Sequence, residues 1–161
     1  MNLQQLFKMQ KELDDFIEKT QNIERDVFKE KGLALMVELA ELANETRCFK
    51  FWSTKGASER DVILEEYVDS IHFILSLGLL KGYTAIDKWP VIEEKRDLTE
   101  TFLMTQDDIL KFISQPTEDR YLAIWQCYGL IAYNLGFTFE DVVAAYIEKN
   151  EENYNRQRSG Y

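Results

Sequence analysis

The run Asp61-Val62-Ile63-Leu64-Glu65-Glu66-Tyr67-Val68-Asp69-Ser70-Ile71-His72-Phe73-Ile74-Leu75-Ser76-Leu77-Gly78-Leu79-Leu80 contains no lysine, no arginine and no proline. Its apolar residues recur at helical spacing, which predicts a long core helix from a Ser58 N-cap to about Lys81. Gly82 follows as the C-terminal stop. On this helix Val62, Glu66, Asp69, Phe73 and Leu77 fall on one stripe. The two acids are therefore flanked by apolar side chains. A salt-bridged surface face would carry basic partners, and this stretch has none.

The preceding helix is predicted from near Asp26 to about Phe49, with a break near Gly32. Leu33, Leu35, Met36, Val37, Leu39, Ala40, Leu42 and Ala43 cover most of its circumference, so it is expected to be buried. Glu38, Glu41 and Glu45 share a narrow arc. Buried carboxylates need partners. The pairs Glu38/Glu41 and Glu66/Asp69 are each spaced i, i+3, so four carboxylates on two neighbouring helices suit a hard divalent cation such as Mg2+. The alternative is a solvated acidic stripe.

Other segments also predict helices: 2–18, a short one from Thr105 to Ser114, 118–135 and 139–155. The stretch from 83 to 117 reads as a connector or small insert around Pro90. The whole is expected to be one all-α helical bundle spanning 1–161, a length that suits a single domain. Seven glycines and two prolines are few for a turn-rich β protein.

The formal net charge of -10 argues against a nucleic-acid polymer as partner, since phosphate neutralisation needs excess lysine and arginine. A small phosphorylated ligand is compatible with it, because a bound metal inverts the local sign. The most apolar run is too short to span a bilayer. Cys48 and Cys127 lie outside any CxxC spacing and read as free thiols of a reducing, cytoplasmic compartment.

Several residues carry a functional and a plain reading. Gln10 and Asp14, spaced i, i+4, either face a pocket or lie in solvent. The segment Lys50-Phe51-Trp52-Ser53-Thr54-Lys55 either plugs the bundle or offers an aromatic platform for a base, with Lys50 or Lys55 near phosphate. His72 is the only histidine, more naturally a hydrogen-bonded residue than a metal ligand. Lys149, Asn153 and Arg156 form one helical stripe, either a solvated C-terminus or a phosphate clamp. A single histidine argues against a di-iron bundle, which needs two Glu-x-x-His motifs. No P-loop or GxGxxG is present.

ExxE at Glu38/Glu41, followed 28 positions after Glu38 by ExxD at Glu66/Asp69, resembles the metal signature of the all-α NTP pyrophosphatase superfamily (MazG-like and relatives). With LFKMQKELD, KFWSTK, EEYVDSIHF and AYIEKNEENYNRQRSGY, nearly the whole chain resembles the dimeric all-α dUTPase family. The resemblance implies hydrolysis of dUTP, and of dUDP, to dUMP, which limits uracil in DNA. It implies Mg2+, with more than one ion per site, and a homodimer. Within it, Glu38, Glu41, Glu66 and Asp69 hold the metals, and Glu41 or Glu38 orients and deprotonates the attacking water. Lys149, Asn153 and Arg156 match the phosphate and nucleotide contacts, with Lys55 a further candidate. Gln10, Trp52, His72 and Phe73 are candidates for the uracil and deoxyribose pocket. The rivals are a sibling pyrophosphatase for another nucleotide such as dCTP, and a non-catalytic helical interaction protein.

Overall fold

The computed structural model describes all 161 residues, which form six α-helices and no strand. In order they are α1 (Leu3–Gln21), α2 (Phe28–Thr46), α3 (Arg60–Lys81), α4 (Leu98–Ser114), α5 (Glu118–Leu135) and α6 (Phe139–Arg158). No single helix is long and apolar enough to cross a membrane.

The uncharged far half of α3 explains its position. Residues from Ile63 to Gly78 are buried on several sides at once, and α1, α2, α5 and α6 all pack against this helix. Tyr67 on this helix, Tyr121, Trp125 and Tyr128 on α5 and Tyr146 on α6 are fully buried. Three of their polar ends are tied down: the Tyr67 hydroxyl donates to the Tyr128 carbonyl at 2.7 Å, the Tyr121 hydroxyl to the Ile74 carbonyl at 2.7 Å, and the Tyr146 hydroxyl to Gln10 at 2.9 Å, whereas Trp125 Nε1 and the Tyr128 hydroxyl have no partner. Gly78 is required there, since a Cβ would stand 2.2 Å from the Tyr121 hydroxyl.

Cross-helix hydrogen bonds fix the helix directions. Lys31, near the start of α2, bonds to Ser76 near the end of α3; Ser58, just before α3, bonds to Glu45 near the end of α2. The two helices are therefore antiparallel. Gln10 meets His72 and Asp14 meets Ser76, so α1 runs in the same direction as α3. The connector between α3 and α4 is pinned by Trp89, which stacks on Phe139 at 5.4 Å and meets Trp125 edge-on at 6.0 Å.

Four local expectations are corrected. Ser58 is not the N-cap of α3; Glu59 occupies that position without a side-chain cap bond, and the Ser58 hydroxyl goes to Glu45 instead. α4 begins at Leu98 rather than Thr105. Asp97 caps it by accepting from the Glu100 backbone at 2.9 Å, and Thr105 lies mid-helix with its hydroxyl on the Thr101 carbonyl. α2 is unbroken at Gly32, where a Cβ would stand 2.7 Å from Ile113 of α4. Nor is α2 buried all round: Leu33 is 63% exposed and Val37 48%. It lies at the edge of the bundle, so its outer apolar side has no covering helix within the chain.

Candidate active site

α2 and α3 place the carboxylates. One oxygen each from Glu38, Glu66 and Asp69 lies within 4.8 Å of the other two. The i, i+3 spacing puts Glu66 and Asp69 on one face of α3, and the antiparallel packing brings Glu38 opposite them. Burial pushes Glu38 up to about 8, reinforced by its bond to Glu41 and the charges of Asp69, Glu41 and Glu66. Burial, then Asp69, Glu41, Glu45 and Glu65, push Glu66 up to about 7. Asp69 rises to about 6 through burial, opposed by Lys149. Glu38 Oε2 is buried and has no hydrogen-bond partner. Clustered, partly desolvated carboxylates with an orphaned oxygen fit a hard divalent cation, which takes oxygen ligands. Glu41 is exposed at the rim of this cluster.

Glu38 and Asp69 also line a cavity of about 290 Å3 between α1, α2, α3 and the end of α6. That is near the lower end of small-ligand pockets, about 300–1,000 Å3. Gln10, His72, Phe73, Asn153 and Arg156 line it too, so the structure brings two of the proposed metal ligands, three of the proposed base-pocket residues and two of the proposed phosphate contacts to one space. Leu13, Ile17, Ile23 and Val27 supply its apolar wall.

A polar network forms one side. The Gln10 side-chain oxygen accepts from the Tyr146 hydroxyl at 2.9 Å and lies 2.7 Å from His72 Nδ1. The Gln10 amide donates to Asp14 Oδ1 at 2.9 Å. With its oxygen thus accepting, His72 carries its proton on Nδ1, and Nε2 is left a buried acceptor with no partner. Burial, then the Lys149 charge, pull the His72 pKa down to about 3. Its ring stacks on Tyr146 at 4.3 Å.

Three of the residues proposed from sequence lie elsewhere. Lys149 does not face the cavity. Its side chain is only 7% exposed, and its ammonium lies 2.7 Å from Glu65, 3.1 Å from Glu152 and 3.4 Å from Asp69. Burial lowers its pKa, but these carboxylates outweigh that and raise it. It serves the carboxylates, leaving no free donor for a phosphate. Trp52 and Lys55 are exposed and outside the cavity. The loop after α2 folds back on itself: Arg47 donates to the Ser53 hydroxyl at 2.8 Å and to the Lys55 carbonyl at 3.1 Å. Trp52 packs on Phe49 and Phe51 instead, at 6.0 and 5.1 Å.

Lys31 and Ser76 line the cavity and escape a reading of the sequence. The available signal was spacing: Lys31 stands seven residues before Glu38, and Ser76 seven after Asp69. Seven residues return a helix to the same face after two turns.

Among curated proteins, none matches the chain. The model of one family, described as dUTPase, matches residues 2–161. Paired carboxylates at one end of a ligand-sized cavity, on an all-helical bundle and within a match of this extent, lead to one conclusion: the chain belongs to the dUTPase family and hydrolyses dUTP.

Proposed function

We propose that this hydrolysis depends on Mg2+ held by Glu38, Glu41, Glu66 and Asp69, with more than one ion per site, and that dUDP is a second substrate. The observation that carries the reading is the convergence of Glu38, Glu66 and Asp69 within 4.8 Å, beside a cavity that Glu38 and Asp69 share with Gln10, His72 and Arg156. When bound, the ions would lower the pKa of a water and offset the charge developing on the phosphoryl oxygens.

The chain's own residues do the rest. Glu41, at the exposed rim beside Glu38, orients the attacking water and takes its proton, with Glu38 completing the metal site. Lys149 holds Asp69 and keeps its carboxylate directed into the cluster. Arg156 and Asn153, one turn apart on α6, meet phosphate oxygens from the cavity side. Cleavage next to the α-phosphate requires no γ-phosphate, which supports turnover of dUDP. Phe73 and His72 wall the deoxyribose and base, with Gln10 fixing the His72 ring.

The chain acts as a homodimer in this reading. Leu33 and Val37 on α2 and Leu103 and Leu110 on α4 are exposed apolar residues on two helices that pack together, and a second copy would cover them. The free, exposed thiol of Cys48 supports a reducing compartment such as the cytoplasm.

The test is pyrophosphate release from dUTP, dCTP, dTTP and UTP and phosphate release from dUDP, each with Mg2+ and with a chelator. Turnover of dUTP and dUDP only with Mg2+ is expected. Full turnover with the chelator present would overturn the metal assignment, and equal use of dCTP would overturn the substrate.

A further inference from the structure

We propose that Lys31 and Asp14 form the base-reading edge of the cavity, with Lys31 the residue that selects a 4-carbonyl pyrimidine over a 4-amino one. The proposal rests on the reading above, in which the nucleotide lies with its phosphates at the carboxylates.

Lys31 precedes Glu38 by seven residues on α2, and Ser76 follows Asp69 by seven on α3. Two turns of helix span about 10 Å. Because α2 and α3 are antiparallel, both steps lead to the same end of the cavity, where Lys31 and Ser76 meet at 2.6 Å. His72 and Phe73 lie one turn beyond Asp69, between the two ends. Phosphates at the carboxylates therefore put the sugar near His72 and Phe73 and the far edge of the base at Lys31.

The donors and acceptors at this end fit a base edge. The Ser76 hydroxyl donates to Asp14 Oδ2 at 2.6 Å and accepts from Lys31. The Lys31 ammonium lies 3.6 Å from Asp14 Oδ2, with the two side chains 16% and 15% exposed. Asp14 Oδ1 takes the Gln10 amide. An ammonium has three N–H groups and a carboxylate about four acceptor sites. After these bonds a free donor on Lys31 remains beside free acceptor sites on Asp14, both held in place by neighbours.

The Watson–Crick edge of uracil presents the complement: the O4 carbonyl accepts and the adjacent N3–H donates. Lys31 donates to O4, and Asp14 accepts from N3–H. Cytosine reverses both groups, so its 4-amino group would meet an ammonium and its N3 lone pair a carboxylate. Buried polar groups mismatched in this way are strongly rejected. Thymine shares uracil's edge, so this pair does not read the 5-methyl group.

The test compares kcat/KM for dUTP, dCTP and dTTP in the wild type, in Lys31→Gln and in the double variant Lys31→Gln/Asp14→Asn. A glutamine amide can turn to accept from a 4-amino group. The dUTP-to-dCTP preference is expected to fall by about ten-fold or more in both variants, while the dUTP-to-dTTP ratio stays as in the wild type. The double variant leaves no unpaired buried charge, so it carries the test if Lys31→Gln alone fails to fold. An unchanged dUTP-to-dCTP preference in a folded variant, or both ratios falling together, would overturn the proposal. Absence of dUTP turnover in the wild type would instead remove the reading on which it rests.

Discussion

Nδ1 of His72 lies 2.7 Å from the side-chain oxygen of Gln10, and this bond fixes which nitrogen of the only histidine carries the proton. The same Gln10 oxygen also accepts from Tyr146. Protonating Nε2 would place a charge in a buried site with no acceptor for it.

His72 is therefore expected to stay neutral, as the Nδ1–H tautomer, from pH 8 down to pH 5. Its folded pKa is pulled down to about 3 from an ordinary 6.5. The unfolded chain takes up the proton first as pH falls, so this group's contribution to stability is full above 6.5 and is lost on acidification. Imidazole nitrogen NMR shifts across this range check it; an imidazolium signal at pH 6 would contradict it.

The carboxylate cluster trades stability for chemistry. Without metal, Glu38 and Glu66 hold protons more tightly in the folded state than in the unfolded one. The resulting penalty is absent below the ordinary glutamate value of 4.5, grows as pH rises, and for Glu38 is complete above about 8. Glu38→Gln is thus expected to raise the metal-free Tm at pH 8 by about 2–4 °C, on the order of 1 kcal/mol, and to abolish turnover. Calorimetry with and without Mg2+ reads the Tm, and wild-type stabilisation by Mg2+ should disappear in the variant; pyrophosphate release reads the turnover. A lowered metal-free Tm would count against mutual repulsion.

Lys149 neutralises the other side of the cluster. Lys149→Met removes the shared partner of Glu65, Asp69 and Glu152. Because Glu65 and Glu152 are 56% and 42% exposed, solvent takes over much of their pairing. A loss of about 1–2 kcal/mol is expected, well below the 3–5 of a fully buried pair. Mg2+ should recover part of it by engaging Asp69. Urea unfolding with and without Mg2+ measures this, and an unchanged midpoint would show that Lys149 does not support Asp69.

The outer face of α2 gives a prediction about assembly. Leu33→Glu and Val37→Glu together place charges on residues 63% and 48% exposed in the single chain. The bundle should stay folded, while light scattering after gel filtration shows the mass of one chain instead of two. A wild type that already runs as one chain would refute the dimer.

The helices were legible where local chemistry and periodicity agree. α5 and α6 stand where 118–135 and 139–155 read as helices; in the structure Gly136 ends the first and Thr138 caps the second. The start of α4 was not legible, because Asp97 stands in a mixed-charge run after Pro90 and looks like any loop acid. The carboxylate pairs were visible because two i, i+3 acid pairs without basic neighbours are uncommon on apolar helices. Lys31 was hidden for the opposite reason. Beside Lys29 and Glu30 it reads as solvated charge, and its partners Asp14 and Ser76 come from two other helices. Lys149 was misplaced likewise: its stripe with Arg156 is real, but the carboxylates that claim it lie largely on α3.

The most direct test is the rate of pyrophosphate release from dUTP as Mg2+ is titrated, for the wild type and Glu66→Gln side by side. The wild-type rate is expected to rise from zero to saturation with Mg2+, with no measurable rate in a variant that keeps its helical circular dichroism. A Glu66→Gln variant that responds to Mg2+ as the wild type does would contradict it.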